Sequence, residues 1–160
     1  MSSKPSESFL MRAGTAADAE TVVHHRRAMF TDMGYRDREW LEEMSRAFLP
    51  WVREKMEAGE YLAWFAVAPD GSIAAGAGLW LQEWMPARVG RNSRRGYVLN
   101  VYTEAPYRRR GLARRLMQAI LDGCRQRGIS MAALNASDEG RPLYESLGFK
   151  AANEMRLDLA

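Results

Sequence analysis

A mixed α/β fold is predicted for this chain of 160 residues, with a mostly antiparallel central sheet, one parallel pair of strands and flanking helices. Three observations carry that reading. Two helical patterns lie in the first third of the chain, between about residues 16 and 57. A change to strand periodicity follows at Tyr61, with the turn signal Pro69-Asp70-Gly71 between two apolar runs. Finally, a strand–helix–strand run from Gly96 to Leu134 has the length of a right-handed parallel βαβ unit.

The length suits one hydrophobic core, because domains usually take about 100 to 200 residues. We therefore read residues 1–8 as a mobile polar tail and 9–160 as a single domain. Apolar residues make up 47% and charged residues 27% of the chain, a balance that excludes a largely disordered protein. The net charge of +3 is too small to indicate a nucleic-acid partner. Cys124 is the only cysteine, which excludes an internal disulfide and suits a reducing cytosol. The longest apolar run, Tyr61 to Ala68, falls well short of the roughly 18 residues of a membrane helix, so a cytoplasmic location without membrane attachment is expected.

Phe9 to Arg12 reads as a strand, broken by Gly14-Thr15. From Ala16 to Met29 the positions Ala19, Val22, Val23, the Arg26 stem and Met29/Phe30 recur at helical spacing, and Asp32-Met33-Gly34 ends the helix. A second helix, about Asp37 to Glu57, carries Trp40, Leu41, Met44, Phe48 and Val52, with a kink or a break into two helices expected at Pro50. Tyr61–Ala68 and Ile73–Leu81 form a hairpin. Residues 85–96 read as a basic loop bearing Arg88, Arg91, Arg94 and Arg95. Gly96 to Thr103 is a strand. Arg110 to Arg127 is the clearest helix, with Leu112, Leu116, Met117, Ile120, Leu121 and Cys124 on one face. Strand Ile129–Leu134, a short helix ending at Leu147-Gly148 and a last strand, Lys150 to Leu159, complete the reading.

The helix start near Arg110 departs from ordinary chemistry. Between Tyr107 and Gly111 no Ser, Thr, Asp or Asn stands ready to cap the free N–H groups. Arg108, Arg109, Arg110, Arg114 and Arg115 crowd an end where the helix dipole favours acids. A bound polyanion would reverse both penalties, since N–H groups, dipole and guanidinium groups would converge on it. Gly111 allows close backbone approach and Ala113 allows tight packing. A diphosphate is the natural ligand. The two further glycines of a dinucleotide fingerprint and the Lys-Ser/Thr of a P-loop are absent, which argues against NAD and ATP. The other reading, that solvent satisfies this helix end, stays open at this point.

Arg108-x-x-Gly111-x-Ala113 after a strand resembles the acyl-CoA-binding Q/R-x-x-G-x-G/A motif of the GNAT superfamily of N-acetyltransferases. Leu143-Tyr144-Glu145-Ser146-Leu147-Gly148-Phe149 is similar to the family's LYxxxGF ending, and the likeness spans about residues 9 to 159. It implies acetyl-CoA as co-substrate, cradled by backbone N–H groups from Arg109 through Arg110, Gly111 and Leu112 to Ala113. Arg108 would brace the loop or the phosphates, and Arg114 or Arg115 would meet the ribose phosphate. It also implies that the parallel strands splay, so that the pantetheine arm pairs with the main chain near Val101 and Tyr102.

The resemblance places the general acid at Tyr144, whose phenol is close enough in acidity to a thiol to protonate departing CoA. Ser137 and Asn135 are candidate contacts for the pantetheine or thiol region, and a serine at 137 is equally an ordinary helix cap. Glu83 and Glu104 are the nearest acids for a general base. Trp40, Trp80 and Trp84 are candidates for the wall of an acceptor pocket. No metal is expected, because adjacent His24 and His25 point apart and no H-x-x-x-H spacing occurs.

The expected reaction is direct transfer of an acetyl or short acyl group from acyl-CoA to a small-molecule or peptide amine in a ternary complex. Cys124, on an apolar helix face, is a poor covalent carrier. The alternatives are a non-catalytic acyl-CoA sensor and, with less support, a nucleic-acid-binding domain. The assembly is left open, a homodimer among the options.

Overall fold

The computed structural model describes residues 8–86 and 93–160. Strand β1 (Leu10–Ala13) is followed by a short 3₁₀ turn and helices α1 (Ala19–Asp32) and α2 (Arg38–Glu57). Then come β2 (Tyr61–Val67), β3 (Ile73–Glu83), β4 (Arg94–Thr103), α3 (Leu112–Gln126), β5 (Ala132–Leu134) and α4 (Arg141–Ser146). The five strands form one sheet in chain order. The first three pairings are antiparallel and β4–β5 is parallel.

Two apolar layers follow from the alternation of side chains along the strands. On one face, Ala66, Ala77, Leu79 and Val98 of the sheet pack with Leu112, Leu116, Met117, Ile120 and Cys124 of α3. The helix was predicted from that same row of residues. On the other face, Tyr61, Ala63 and Phe65 pack against Ala19 and Val22 of the first helical region and Val52 of α2. Leu143, Tyr144, Leu147 and Phe149 lean on the α3-side core. Asp37 caps α2 by accepting from the Trp40 N–H at 3.1 Å.

Two expectations need correction. Helix α2 runs unbroken through Pro50. Proline removes one main-chain hydrogen bond, but Leu41 and Val52, buried on either side, keep both halves on the core, so the alternative of two separate helices does not occur. The expected strand Lys150–Leu159 does not form: residues 150–160 have no regular structure and are all exposed. Met155, Leu157 and Leu159 alternate as a strand would, but no sheet face among the described residues lies beneath them. The basic loop is described only in part. Arg94 and Arg95 belong to β4, whereas Arg88 and Arg91 lie outside the described residues, as do positions 1–7 of the expected tail. No helix among the described residues is long and apolar enough to cross a membrane.

Candidate active site

The site begins where two strands part. Pairing of β4 with β5 runs from Gly96↔Ala132 to Val98↔Leu134 and stops, while pairing of β4 with β3 continues to Thr103↔Ala75. The β5-side edge of β4 beyond Val98 is therefore unpaired among the described residues. A bulge marks the divergence. Gly78 pairs with Leu99 and Gly76 with Tyr102, so Asn100 and Val101 together oppose Ala77. Asn100 takes a left-handed φ of 56°, a conformation asparagine tolerates better than most residues.

The Asn100 side chain, almost fully buried, fixes the bulge. Its Nδ2 donates to the Tyr61 hydroxyl at 2.9 Å, and its Oδ1 accepts from Arg26 Nη1 at 2.9 Å. Only glycine fits opposite: a Cβ on Gly78 would stand 1.9 Å from the Tyr61 hydroxyl. Arg26 lies between the rings of Phe30 and Phe48, its guanidinium carbon 4.9 and 4.7 Å from their centroids. Its Nε is buried without a hydrogen-bond partner. Such an orphan donor costs about 1–3 kcal/mol.

At the other end of the free edge, a 3₁₀ turn (Ala105–Tyr107) leads into the start of α3. Arg109 and Gly111 both have left-handed φ, 61° and 72°, which turns the chain sharply before Leu112. No side chain caps α3, and a Cβ on Gly111 would meet nothing within 4 Å. The helix thus presents N–H groups and open space together, at its positive end.

The arginines around this loop have divided tasks. Arg108 donates from Nε to the Thr103 carbonyl at 3.0 Å and pairs with Asp32 of α1, so it braces the loop. That pairing, first of all its hydrogen bond, raises the Arg108 pKa further. Arg110 lies over the rings of Tyr107 and Phe9. Arg114 donates to Ser146 Oγ of α4 at 2.8 Å, whereas its neighbour Arg115 reaches the Phe9 carbonyl at 3.0 Å. Adjacent helix positions point to opposite sides, as their spacing requires.

Tyr144 sits on α4, edge-on to Phe149 at 6.0 Å and half-buried against the α3-side core. Burial raises its pKa, so the phenol keeps its proton at neutral pH. Ser137 accepts from the Gly140 N–H at 3.1 Å in the turn before α4, whose own N-cap, Gly140, makes no side-chain cap. Asn135 Oδ1 accepts from Arg156.

The two candidate bases lie at opposite ends of β4. Glu104 ends the free edge, bonded to His24 at 2.8 Å and 3.6 Å from His25. Both histidines reach this carboxylate although their rings diverge: His24 is exposed and His25 is buried. Glu83 pairs in register with Arg94. That is six residues before Asn100, or about 20 Å at strand rise.

The tryptophans are likewise dispersed. Trp40 stacks on Tyr35 and meets Phe30 edge-on beside Arg26, while Trp80 packs on Trp51 and Trp84 lies under Arg95. Among the described residues, no cluster of three or more His, Cys, Asp or Glu could hold a metal. Cys124 is buried, and burial raises its pKa.

Arg26, Asn100 and His25 were not singled out from the sequence as site residues. Asn100 left one legible sign, a residue tolerant of left-handed backbone inside an apolar strand pattern. Arg26 was counted only for its aliphatic stem.

A sheet whose parallel strands stop pairing beside an open, uncapped helix start is the arrangement that the resemblance to acyl-CoA-dependent transferases implies. The chain matches the acetyltransferase (GNAT) family over residues 20–149 and belongs to that family. It is 33% identical over 106 residues to a glucosamine 6-phosphate N-acetyltransferase from Trypanosoma brucei brucei, covering 66% of this chain and 70% of that protein. Among solved structures it resembles a GCN5-related N-acetyltransferase from Ralstonia eutropha JMP134, with 33% identity, a TM-score of 0.88, and coverage of 95% of this chain and 99% of that one. A predicted acetyltransferase from Clostridium acetobutylicum, solved with acetyl-CoA, shares the fold at 24% identity and a TM-score of 0.86, over 95% and 97% of the two chains.

Proposed function

We propose that this acetyltransferase moves an acetyl group from acetyl-CoA to a primary amine by direct attack within a ternary complex. The observation that carries the reading is the free β4 edge beyond Val98 continuing into the uncapped start of α3. Main-chain groups near Val101 and Tyr102 bond the pantetheine amides as an added strand would. N–H groups from Arg109 to Ala113 receive the diphosphate, with Arg108 holding the loop in shape.

The amine nitrogen attacks the thioester carbonyl, a C–N bond forms, and the C–S bond breaks with its electrons moving to sulfur. Tyr144 donates its phenolic proton to that sulfur and regains one from solvent. The proton lost by the amine leaves through water, since Glu104 is engaged by His24 and Glu83 stands at the far end of β4. The relative from Trypanosoma brucei brucei is named for an amino-sugar acceptor, which supports testing sugar amines first.

The test is release of free CoA thiol from acetyl-CoA across a panel of amines. Acceptor-dependent release with formation of an amide is the expected result. Acetyl-CoA that binds, seen as a raised melting temperature, but releases no thiol with any amine would favour the sensor reading instead.

A further inference from the structure

Arg26 is a cation with no ion-pair partner among the described residues: no carboxylate lies within ion-pair distance of it. The nearby acids are engaged, Asp32 by Arg108 and Glu104 by His24. The guanidinium is fixed in orientation by the Phe30 and Phe48 rings on its faces and by Asn100 Oδ1 on Nη1. Arg26 as a residue is nevertheless only half-buried. A partly desolvated guanidinium with spare donors and a set plane suits a planar or tetrahedral oxyanion. Its position is as informative as its charge. Asn100 lies two residues beyond Val98, the last β4 residue paired with β5, so Arg26 stands beside the free edge on the α1–α2 side, with Trp40 and Tyr35 grouped around Phe30. An acceptor approaching the bulge from that side meets Arg26 next to the main chain that holds the thioester.

We infer that Arg26 binds an anionic group, carboxylate or phosphate, carried by the amine acceptor. This rests on the N-acetyltransferase reading above and names the class of substrate within it. A neutral acceptor would leave the guanidinium without a counter-charge in the ternary complex, whereas an anionic one supplies it.

The test compares matched acceptors that differ only in that group: glucosamine 6-phosphate with glucosamine, and an amino acid with its carboxamide. In the wild-type enzyme at least one anionic member should exceed its neutral partner at least tenfold in kcat/KM, and the pair that responds identifies the oxyanion. Arg26→Gln should raise KM for that anionic acceptor tenfold or more. The neutral acceptor and acetyl-CoA should lose less, only what release of Asn100 Oδ1 costs every acceptor alike, so the anionic-to-neutral ratio of kcat/KM should fall tenfold or more, and Arg26→Lys should restore part of that ratio. Equal use of charged and neutral partners by the wild type overturns the inference and leaves the transferase reading standing. So does an equal loss for both in Arg26→Gln, because a residue that only pins Asn100 would act on every acceptor alike. If Arg26→Gln does not fold, the wild-type pairs decide alone. Thiol release with no amine at all fails the transferase reading, and the acceptor subsite with it.

Discussion

His25 Nε2 lies 3.6 Å from Glu104 Oε1, yet the imidazole, 2% exposed, has its pKa pushed down to about 4. Burial is the larger cause and outweighs the attraction of the carboxylate; the neighbouring His24 lowers the value a little further. In the unfolded chain the ring protonates near its ordinary value of 6.5. Between those two values the unfolded state binds more protons. Stability from this group is therefore complete above pH 6.5 and is lost as pH falls towards 4, by about 3 kcal/mol at most. Denaturant unfolding at pH 7 and pH 4.5 measures it. His25→Phe, which keeps a ring beside Phe65 and Tyr102, should flatten that part of the profile. An unchanged profile in the variant would assign the acid sensitivity to other groups.

Gly111→Glu should cancel the rise in melting temperature that acetyl-CoA gives the wild type. The new Cβ meets no protein atom within 4 Å, so the fold suffers chiefly the left-handed φ of 72°, a cost of about 1 kcal/mol. Its carboxylate would instead stand where the diphosphate approaches. Normal stabilisation by acetyl-CoA in the folded variant would mean that the anion binds elsewhere.

Tyr144→Phe removes a hydroxyl and keeps the ring that packs on Phe149. If that hydroxyl protonates the leaving thiolate, turnover should drop about 10²- to 10⁴-fold with the acetyl-CoA affinity nearly intact. Melting temperature on the same sample separates chemistry from packing. Wild-type turnover with chemistry rate-limiting would leave protonation of sulfur to water.

Tyr61→Phe tests the anchor of the bulge. It deprives Asn100 Nδ2 of its acceptor in a buried setting, at a cost of about 1–3 kcal/mol. Urea denaturation should show that loss, and a stability within error of the wild type would mean that Asn100 has found another partner.

The parts of this fold legible in the sequence are those written as period. Helix α3 is spelled out by Leu112, Leu116, Met117, Ile120 and Cys124, and the hairpin by two apolar runs around Pro69-Asp70-Gly71. The helix start at Gly111 was readable for the opposite reason, because expected capping chemistry is absent there. Period also misled. Met155, Leu157 and Leu159 alternate perfectly, but alternation states only that a strand would have two faces, not that a sheet is at hand. Arg26 and His25 were hidden because their meaning depends on partners about 75 residues away, Asn100 and Glu104, which periodicity within one helix cannot specify.

The bulge at Asn100 also inverts the parity of β4. Before it, even-numbered Val98 faces the α3 core and odd-numbered Leu99 faces the α1–α2 layer. After it, odd-numbered Val101 faces the α3 core, while even-numbered Tyr102 meets His25 of α1 at 5.4 Å between ring centroids. Leu99 and Asn100 are consecutive residues on the same side, which is the phase slip itself. One strand therefore runs in two registers of alternation, a half paired with β5 before Asn100 and a half with a free edge after it. Deleting Asn100 would remove the slip and leave a regular strand, with Leu99 still on the α1–α2 side, Val101 in the α3 core and Tyr102 against His25. Between Val98 and Thr103 the strand can therefore lose its one extra residue and keep its faces; what it would lose is the buried link from Asn100 to Tyr61 and Arg26.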